Sequence, residues 1–186
     1  MNPVSTPASP LFGSHVTRSP EETEALAARL AAALRPGDRV ALCGPLGGGK
    51  TTFVRGLARG LGLDPTDVHS PTFTRVHRYR GRITLVHADL YRVDTAEGYA
   101  ELGLDDDEAA SGDVAATAGA PAGAKARPNS TLQPHAGDGP GLGTPPVIVL
   151  EWADRLPPGT PPPRFRVDFE LGVGENDRRI RISVLH

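Results

Sequence analysis

The sequence has one cysteine, one tryptophan and an aromatic content of only 5%. A single Cys43 excludes an internal disulfide, and its place in a short apolar run predicts a buried, reduced thiol. Neither charge is in strong excess: the formal net charge is −2, so no overall field attracts the chain to nucleic acid or to an anionic membrane. No apolar run approaches the length of a membrane span, and the first fourteen residues contain no Lys or Arg. We therefore expect a cytoplasmic protein that does not contact a membrane.

Glycine and proline, in contrast, are abundant, and their excess is local. Of the 38 residues at 109–146, 23 are Ala, Gly or Pro, and none is aromatic. Such a segment buries too little apolar surface to offset its chain entropy, so it predicts a disordered insertion. Residues 1–14 predict a disordered tail. The remaining chain, residues 15–186, is expected to form one domain that contains the insertion.

Local patterns predict a helix, a strand and a second helix in the first third of the chain. Ser19 suits an N-cap, and Glu22 three residues later completes a capping box. The apolar run RVALC predicts a buried strand, and the glycine loop after it opens a helix. Gly56 and Gly60 each weaken that helix by about 1 kcal/mol relative to Ala. They therefore indicate that another element packs closely against it.

The rest of the chain adds strands. ITLVHAD ends at Asp89 and VIVLE ends at Glu151, while RFRVDFEL and RRIRISVL alternate and predict an antiparallel hairpin. The fold class is therefore α/β.

The stretch GPLGGGKTT fits the Walker A pattern in full. Its backbone N–H groups would surround the phosphates of a nucleotide, Lys50 would neutralise the outer phosphates, and the Thr51 hydroxyl would ligate Mg²⁺. The loop leaves an apolar strand and opens a helix, which supports the interpretation. The candidate phosphate-binding glycines are Gly44, Gly47, Gly48 and Gly49.

A site of this kind also needs a carboxylate at a strand end to hold the metal ion. Asp89 and Glu151 are the two candidates, and the alternative for each is a solvated acid. The segment SPTF contains Thr72, whose hydroxyl could face a phosphate or Mg²⁺, although a plain turn explains the spacing equally well. His87 lies two residues before Asp89, and Trp152 directly follows Glu151, so both are expected near the site. The alternatives are a structural or surface role for His87 and a core role for Trp152.

Taken in order, GPLGGGKTTFVRGLARGLG, SPTFT, HADLYR and LEW resemble the TsaE family, also called YjeE. These bacterial ATPases are needed to make threonylcarbamoyladenosine in tRNA. The resemblance implies a P-loop NTPase-like, three-layer fold with a small mixed parallel and antiparallel sheet. It also implies ATP and Mg²⁺ as ligands, TsaD and TsaB as partners, and contact with tRNA only through that complex. ATP hydrolysis to ADP and phosphate would then reset the transferase pair between turnovers.

The resemblance also assigns roles to residues. Lys50, Thr51 and Thr52 would serve the phosphates and Mg²⁺, and Thr72 would act from a switch-like loop. Asp89 would support the metal ion, and Glu151 would bind Mg²⁺ or position water, with Trp152 nearby. Which of the two carboxylates contacts the metal ion directly is left open.

Three other functions are compatible with a Walker A loop. A small-molecule or nucleotide kinase would need a basic lid, and the long insertion contains only Lys125 and Arg127. A GTPase commonly uses an Asn-Lys-x-Asp sequence, which this chain lacks. The third function is a nucleotide-dependent binding module with negligible turnover. It differs little from a partner-dependent ATPase, because a switch subunit also hydrolyses its nucleotide slowly without its partner.

Overall fold

The computed structural model describes residues 10–104 and 144–185. In these residues the chain forms seven strands, three α-helices and two 3₁₀ turns. The strands are β1 (Gly13–Thr17), β2 (Arg39–Cys43), β3 (Val76–Tyr79), β4 (Leu85–Asp89), β5 (Val147–Glu151), β6 (Phe165–Leu171) and β7 (Arg178–Val184). The helices are α1 (Pro20–Ala31), α2 (Lys50–Gly60) and α3 (Ala96–Ala100), and the 3₁₀ turns are Pro65–Asp67 and Ala153–Arg155.

All seven strands belong to one mixed sheet, in the order β1-β7-β6-β2-β5-β4-β3. β2 pairs in parallel with β5 and β6, and β5 pairs in parallel with β4. The outer pairs β1–β7, β6–β7 and β3–β4 are antiparallel. The predicted α/β class, mixed sheet and final hairpin are therefore confirmed. Because β2 lies at the centre, the loop that leaves it sits in the middle of the edge where open α/β sheets bind ligands.

Both faces of the sheet are covered, as a three-layer arrangement requires. Val40 and Leu42 of β2 join the core formed with α1 and α2, whereas Ala41 and Cys43 join a second core that includes Tyr99 of α3. This alternation follows from the two-residue period of a strand. Cys43 is a buried free thiol, as predicted.

Helices α1 and α2 pack closely, and two glycines permit the contact. A Cβ on Gly56 would collide with the carbonyl oxygen of Glu24, and one on Gly60 would lie 2.5 Å from the Cβ of Ala31. The predicted close approach at these positions is therefore confirmed.

The start of α1 follows its sequence pattern. The Ser19 side chain accepts a hydrogen bond of 3.2 Å from the Glu22 amide, and the Glu22 carboxylate accepts one of 2.8 Å from the Arg18 amide. The Ser19 bond satisfies one amide that the helix itself leaves unpaired, as in a capping box. The Glu22 carboxylate differs from that pattern, because it bonds to the amide of Arg18, one residue before the N-cap, and not to that of Ser19. The helix ends at Ala31.

Strand β1 corrects one predicted boundary. The tail was predicted to extend to residue 14, but Gly13 and Ser14 pair with Ile182 and Arg181 of β7. Residues 1–9 and 105–143 lie outside the described residues, and the second range contains all but the last three residues of the predicted insertion at 109–146. At its end, Pro146 is buried and accepts a hydrogen bond of 3.1 Å from the Gly37 amide. No helix within the described ranges has the length and apolar character needed to cross a membrane.

Candidate functional site

The glycine loop at residues 44–49 connects β2 directly to α2. Gly44 and Gly49 have φ of 144° and 96°, a backbone conformation that other residues rarely adopt. A Cβ on Gly44 would also lie 2.5 Å from the carbonyl oxygen of Phe169 on β6. The loop is therefore compact and supported from β6. Its end is the N-terminus of α2, where backbone N–H groups without an intrahelical acceptor favour an anion.

Lys50 is held inside the loop that it follows. The side chain is 4% exposed, and its Nζ donates hydrogen bonds of 2.8 Å to the carbonyl oxygens of Gly44 and Pro45. The same Nζ lies 3.9 Å from the centre of the Trp152 ring, which is a cation–π contact. Burial lowers the pKa of Lys50, while nearby carboxylates, chiefly Glu151, oppose that shift. The ammonium group is thus enclosed at the position from which it could reach a phosphate.

Thr51, Glu151 and His87 form a hydrogen-bonded chain beneath the loop. Oε1 of Glu151 accepts a hydrogen bond of 2.8 Å from the Thr51 hydroxyl and one of 2.9 Å from Nε2 of His87. Because an ionised carboxylate only accepts, Nε2 must carry the proton. His87 is fully buried, and its Nδ1 has no hydrogen-bond partner among the described residues.

The environment of Glu151 favours the ionised carboxylate. Burial by itself raises the pKa of Glu151. The hydrogen bonds from His87 and Thr51 and the positive charge of Lys50 outweigh burial, so the pKa lies below its ordinary value. A charged carboxylate is therefore held against the Walker A threonine.

Asp89 lies beside Glu151, because the two residues are register partners on the parallel strands β4 and β5. Its Oδ2 accepts a hydrogen bond of 2.7 Å from the Thr72 hydroxyl, and its Oδ1 accepts one of 2.8 Å from the Tyr91 amide. Ser70 and Thr72 share a further hydrogen bond of 2.8 Å. The SPTF segment is thus tied to the end of β4 through a buried carboxylate.

Trp152 follows β5 in a strained conformation. Its φ of 58° and ψ of 39° lie in the left-handed region, which is costly for a bulky residue. The ring contacts Tyr91, with 5.0 Å between ring centres, and covers the Lys50 ammonium group. Through these two contacts the aromatic ring faces the loop. The sequence predicted only that Trp152 lies near the site, because it follows Glu151.

The candidate residues from the sequence converge at one edge of the sheet. The structure brings together Lys50, Thr51, Thr72, Asp89, Glu151 and Trp152, around the loop that contains Gly44, Gly47, Gly48 and Gly49. Thr52 is half-buried in the first turn of α2, and its side chain forms no hydrogen bond with the described residues. The roles of all these residues toward a nucleotide or metal ion stay predictions.

One residue at the site was not anticipated from the sequence. Nε of Arg178, the first residue of β7, donates a hydrogen bond of 3.2 Å to the carbonyl oxygen of Gly47. The contact arises because β6 runs parallel to β2, so the turn between β6 and β7 reaches the edge that carries the loop. The residue spacing within β7 does not indicate that β6 is the neighbour of β2, so it could not predict this contact.

Comparison with known proteins gives a consistent family and fold. A family model described as threonylcarbamoyl adenosine biosynthesis protein TsaE matches residues 17–117, more than half of the chain. A relative with the name tRNA threonylcarbamoyladenosine biosynthesis protein TsaE from Bacillus subtilis is 47% identical over 91 residues, which are 48% of this chain and 56% of that protein. A relative of the same name from Rickettsia bellii is 40% identical over 100 residues, 53% of this chain and 68% of the relative.

The fold is also similar to the crystal structure of YdiB from Bacillus subtilis. The TM-score is 0.59 with 28% sequence identity, over 93% of this chain and 85% of that one. The chain spans between about half and two thirds of the length of the curated relatives from Bacillus subtilis, Treponema pallidum and Rickettsia conorii that it matches.

Proposed function

This chain belongs to the family of threonylcarbamoyl adenosine biosynthesis protein TsaE, and on that premise we propose that it is a Mg²⁺-dependent ATPase serving threonylcarbamoyladenosine formation in tRNA. It hydrolyses ATP to ADP and phosphate in complex with the TsaD–TsaB threonylcarbamoyl transferase pair, and this resets the pair between turnovers. One observation carries the proposal: the 2.8 Å hydrogen bond that joins Thr51 of the Walker A loop to Glu151 at a strand end.

ATP is the substrate, and the loop would bind its phosphates. The N-terminus of α2 supplies backbone donors, and Lys50 supplies the charge. To reach a phosphate, Nζ of Lys50 would exchange the carbonyl oxygens of Gly44 and Pro45 for phosphate oxygens. Because an anionic oxygen is the stronger acceptor, this exchange favours binding.

The residues beside Lys50 fit Mg²⁺. Among the described residues, no group of three or more His, Cys, Asp or Glu side chains is arranged to hold a metal ion. Mg²⁺ does not need such a group, since it prefers one or two carboxylates together with phosphate oxygens and water. The Thr51 hydroxyl and the Glu151 carboxylate are hard oxygen donors already in contact. They would hold the ion, which on binding neutralises charge on the phosphates.

Glu151 and Asp89 have different roles in hydrolysis. Glu151 is ionised and fixed by His87, so it can orient a water molecule or the water shell of the ion. Asp89 holds the Thr72 hydroxyl and thereby places the SPTF segment over the site. Water attacks the γ-phosphorus, the bond to the bridging oxygen breaks, and ADP and phosphate leave.

A protein partner is supported by exposed apolar side chains on the segments that border the site. Leu46 in the loop, Phe73 after Thr72, and Val173 in the β6–β7 turn are 85%, 90% and 99% exposed. Exposed large apolar side chains beside a polar site are typical of protein interaction surfaces. We place the TsaD–TsaB pair against these segments, where docking can affect nucleotide turnover.

The experiment that tests this function measures ATP binding and phosphate release separately. Binding is followed by fluorescence of Trp152, the only tryptophan in the chain, which contacts Lys50. Lys50→Ala is expected to lose binding, and Glu151→Gln to bind ATP but release no phosphate. Arg179→Ala, an exposed residue on β7, is the control and should match the wild type. Transfer of the γ-phosphate to an acceptor other than water would instead establish a kinase.

A further inference from the structure

Arg178 places a guanidinium group against the Walker A loop on the side away from the strand-end carboxylates. In the sheet, β6 and β7 lie on one side of β2, and β5 and β4 lie on the other. The Arg178 side chain donates from Nε to the carbonyl oxygen of Gly47 and passes 3.9 Å from the position that a Cβ on Gly49 would occupy. The cation therefore borders the same loop as Lys50 but from the opposite direction.

The guanidinium group is fixed without being neutralised. Nη1 donates hydrogen bonds of 2.8 Å to the carbonyl oxygens of Glu175 and Asp177. Within residues 10–104 and 144–185, Arg178 forms no ion pair and its Nη2 has no hydrogen-bond partner. Three carbonyl oxygens orient the group but leave its full positive charge. A rigid cation with two unused N–H donors beside a phosphate-binding loop is suited to an anionic ligand.

The layout of the site indicates which part of a nucleotide would meet Arg178. Thr51 and Glu151 would hold the metal ion and thus define the side of the loop where the terminal phosphate lies. A triphosphate that follows the loop away from them runs toward β6 and β7. Its inner phosphates would therefore approach Arg178.

We propose that Arg178 is a further nucleotide-binding residue, whose Nη2 donates to an inner phosphate of the bound nucleotide. This inference rests on the proposed function, because it requires a nucleotide in the loop. No bond is made or broken: the residue contributes charge and two hydrogen-bond donors. Since the α- and β-phosphates are common to ATP and ADP, its contribution is the same for both.

The test compares the dissociation constants of ATP and ADP, with Mg²⁺, for four forms of the whole chain: wild type, Arg178→Ala, Arg178→Lys and Arg179→Ala. Trp152 fluorescence and titration calorimetry are used in parallel. We expect Arg178→Ala to weaken both nucleotides by about ten-fold, the typical effect of losing a charge-assisted hydrogen bond. Arg178→Lys keeps the charge and should stay within about three-fold of the wild type. Arg179→Ala changes neither constant, because neighbouring residues of a strand face opposite sides.

The Lys variant separates a phosphate contact from a structural brace. A single ammonium group cannot form all three hydrogen bonds that the guanidinium group donates to carbonyl oxygens. If Arg178 only stabilised the loop, Arg178→Lys would therefore bind nucleotide as weakly as Arg178→Ala. That result would overturn the inference, as would equal affinities for the wild type and Arg178→Ala. A wild-type protein that bound neither nucleotide would overturn the proposed function and this inference with it.

Discussion

Replacing Glu151 with Ala removes the acceptor that holds two donors at the site. His87 is fully buried and would lose its partner on Nε2, while its Nδ1 is already without one among the described residues. A buried donor left without an acceptor costs about 1–3 kcal/mol. Thr51 is only half-buried and can bond to water instead. We therefore expect Glu151→Ala to lower the free energy of unfolding by about 2 kcal/mol.

For a chain of this length, about 2 kcal/mol corresponds to a fall in Tm of about 4–8 °C. Calorimetry or a thermal scan followed by circular dichroism measures it. Glu151→Gln is the matched control, because it keeps an oxygen acceptor at the same distance from the backbone. It should lose less than half as much stability. Equal Tm values for the wild type and Glu151→Ala would refute the argument that this hydrogen-bonded chain is stabilising.

The difference in unfolding free energy between the wild type and Glu151→Gln should depend on pH. The pKa of Glu151 lies below its ordinary value of 4.5, so the folded protein favours the ionised carboxylate. Its contribution to stability is complete above pH 4.5 and is lost as the pH falls through the lowered pKa. The difference in unfolding free energy between the wild type and Glu151→Gln should therefore shrink in acid. A difference that grew below that pH would contradict the sign of the shift.

Three other variants test separate parts of the site and its support. Lys50→Ala should abolish ATP binding, as measured by calorimetry. It should not lower Tm, because burial lowers the pKa of Lys50, and keeping this buried group charged at neutral pH therefore costs stability. Gly56→Ala should lower the free energy of unfolding in urea by about 2 kcal/mol despite a helix preference of about 1 kcal/mol, because the new Cβ meets the backbone of Glu24. Thr72→Val removes the 2.7 Å hydrogen bond to Asp89 and should slow phosphate release at least about ten-fold while ATP binding persists. Unchanged release would make the SPTF segment a plain turn.

Much of the fold was predictable because its determinants are local. The capping box at Ser19 and the strand, loop and helix around Lys50 depend on residues a few positions apart. Strand β1 was missed because its sequence, GSHVT, lacks a strong apolar alternation. It is held by its pairing with β7, more than 160 positions later in the chain. Long-range pairing of this kind leaves no periodic pattern in a short segment.

In the candidate site, too, the features with local determinants were predictable and those that depend on strand pairing were not. The sequence predicts that Asp89 and Glu151 end strands, and parallel pairing then places them side by side. That His87 bonds to Glu151 rather than to Asp89 depends on the register of β4 against β5, which no local pattern specifies. Arg178 reaches the loop only because β6 is the neighbour of β2.

The most direct test of the central proposal follows the γ-phosphate of labelled ATP. The protein is measured alone and then with a purified TsaD–TsaB pair, with Glu151→Gln as the matched control in both cases. The proposal predicts slow release of labelled phosphate by the protein alone, a marked increase with the pair, and no increase for the Glu151 variant. Release that ignored the pair, or label that moved to an acceptor other than water, would contradict a partner-coupled ATPase.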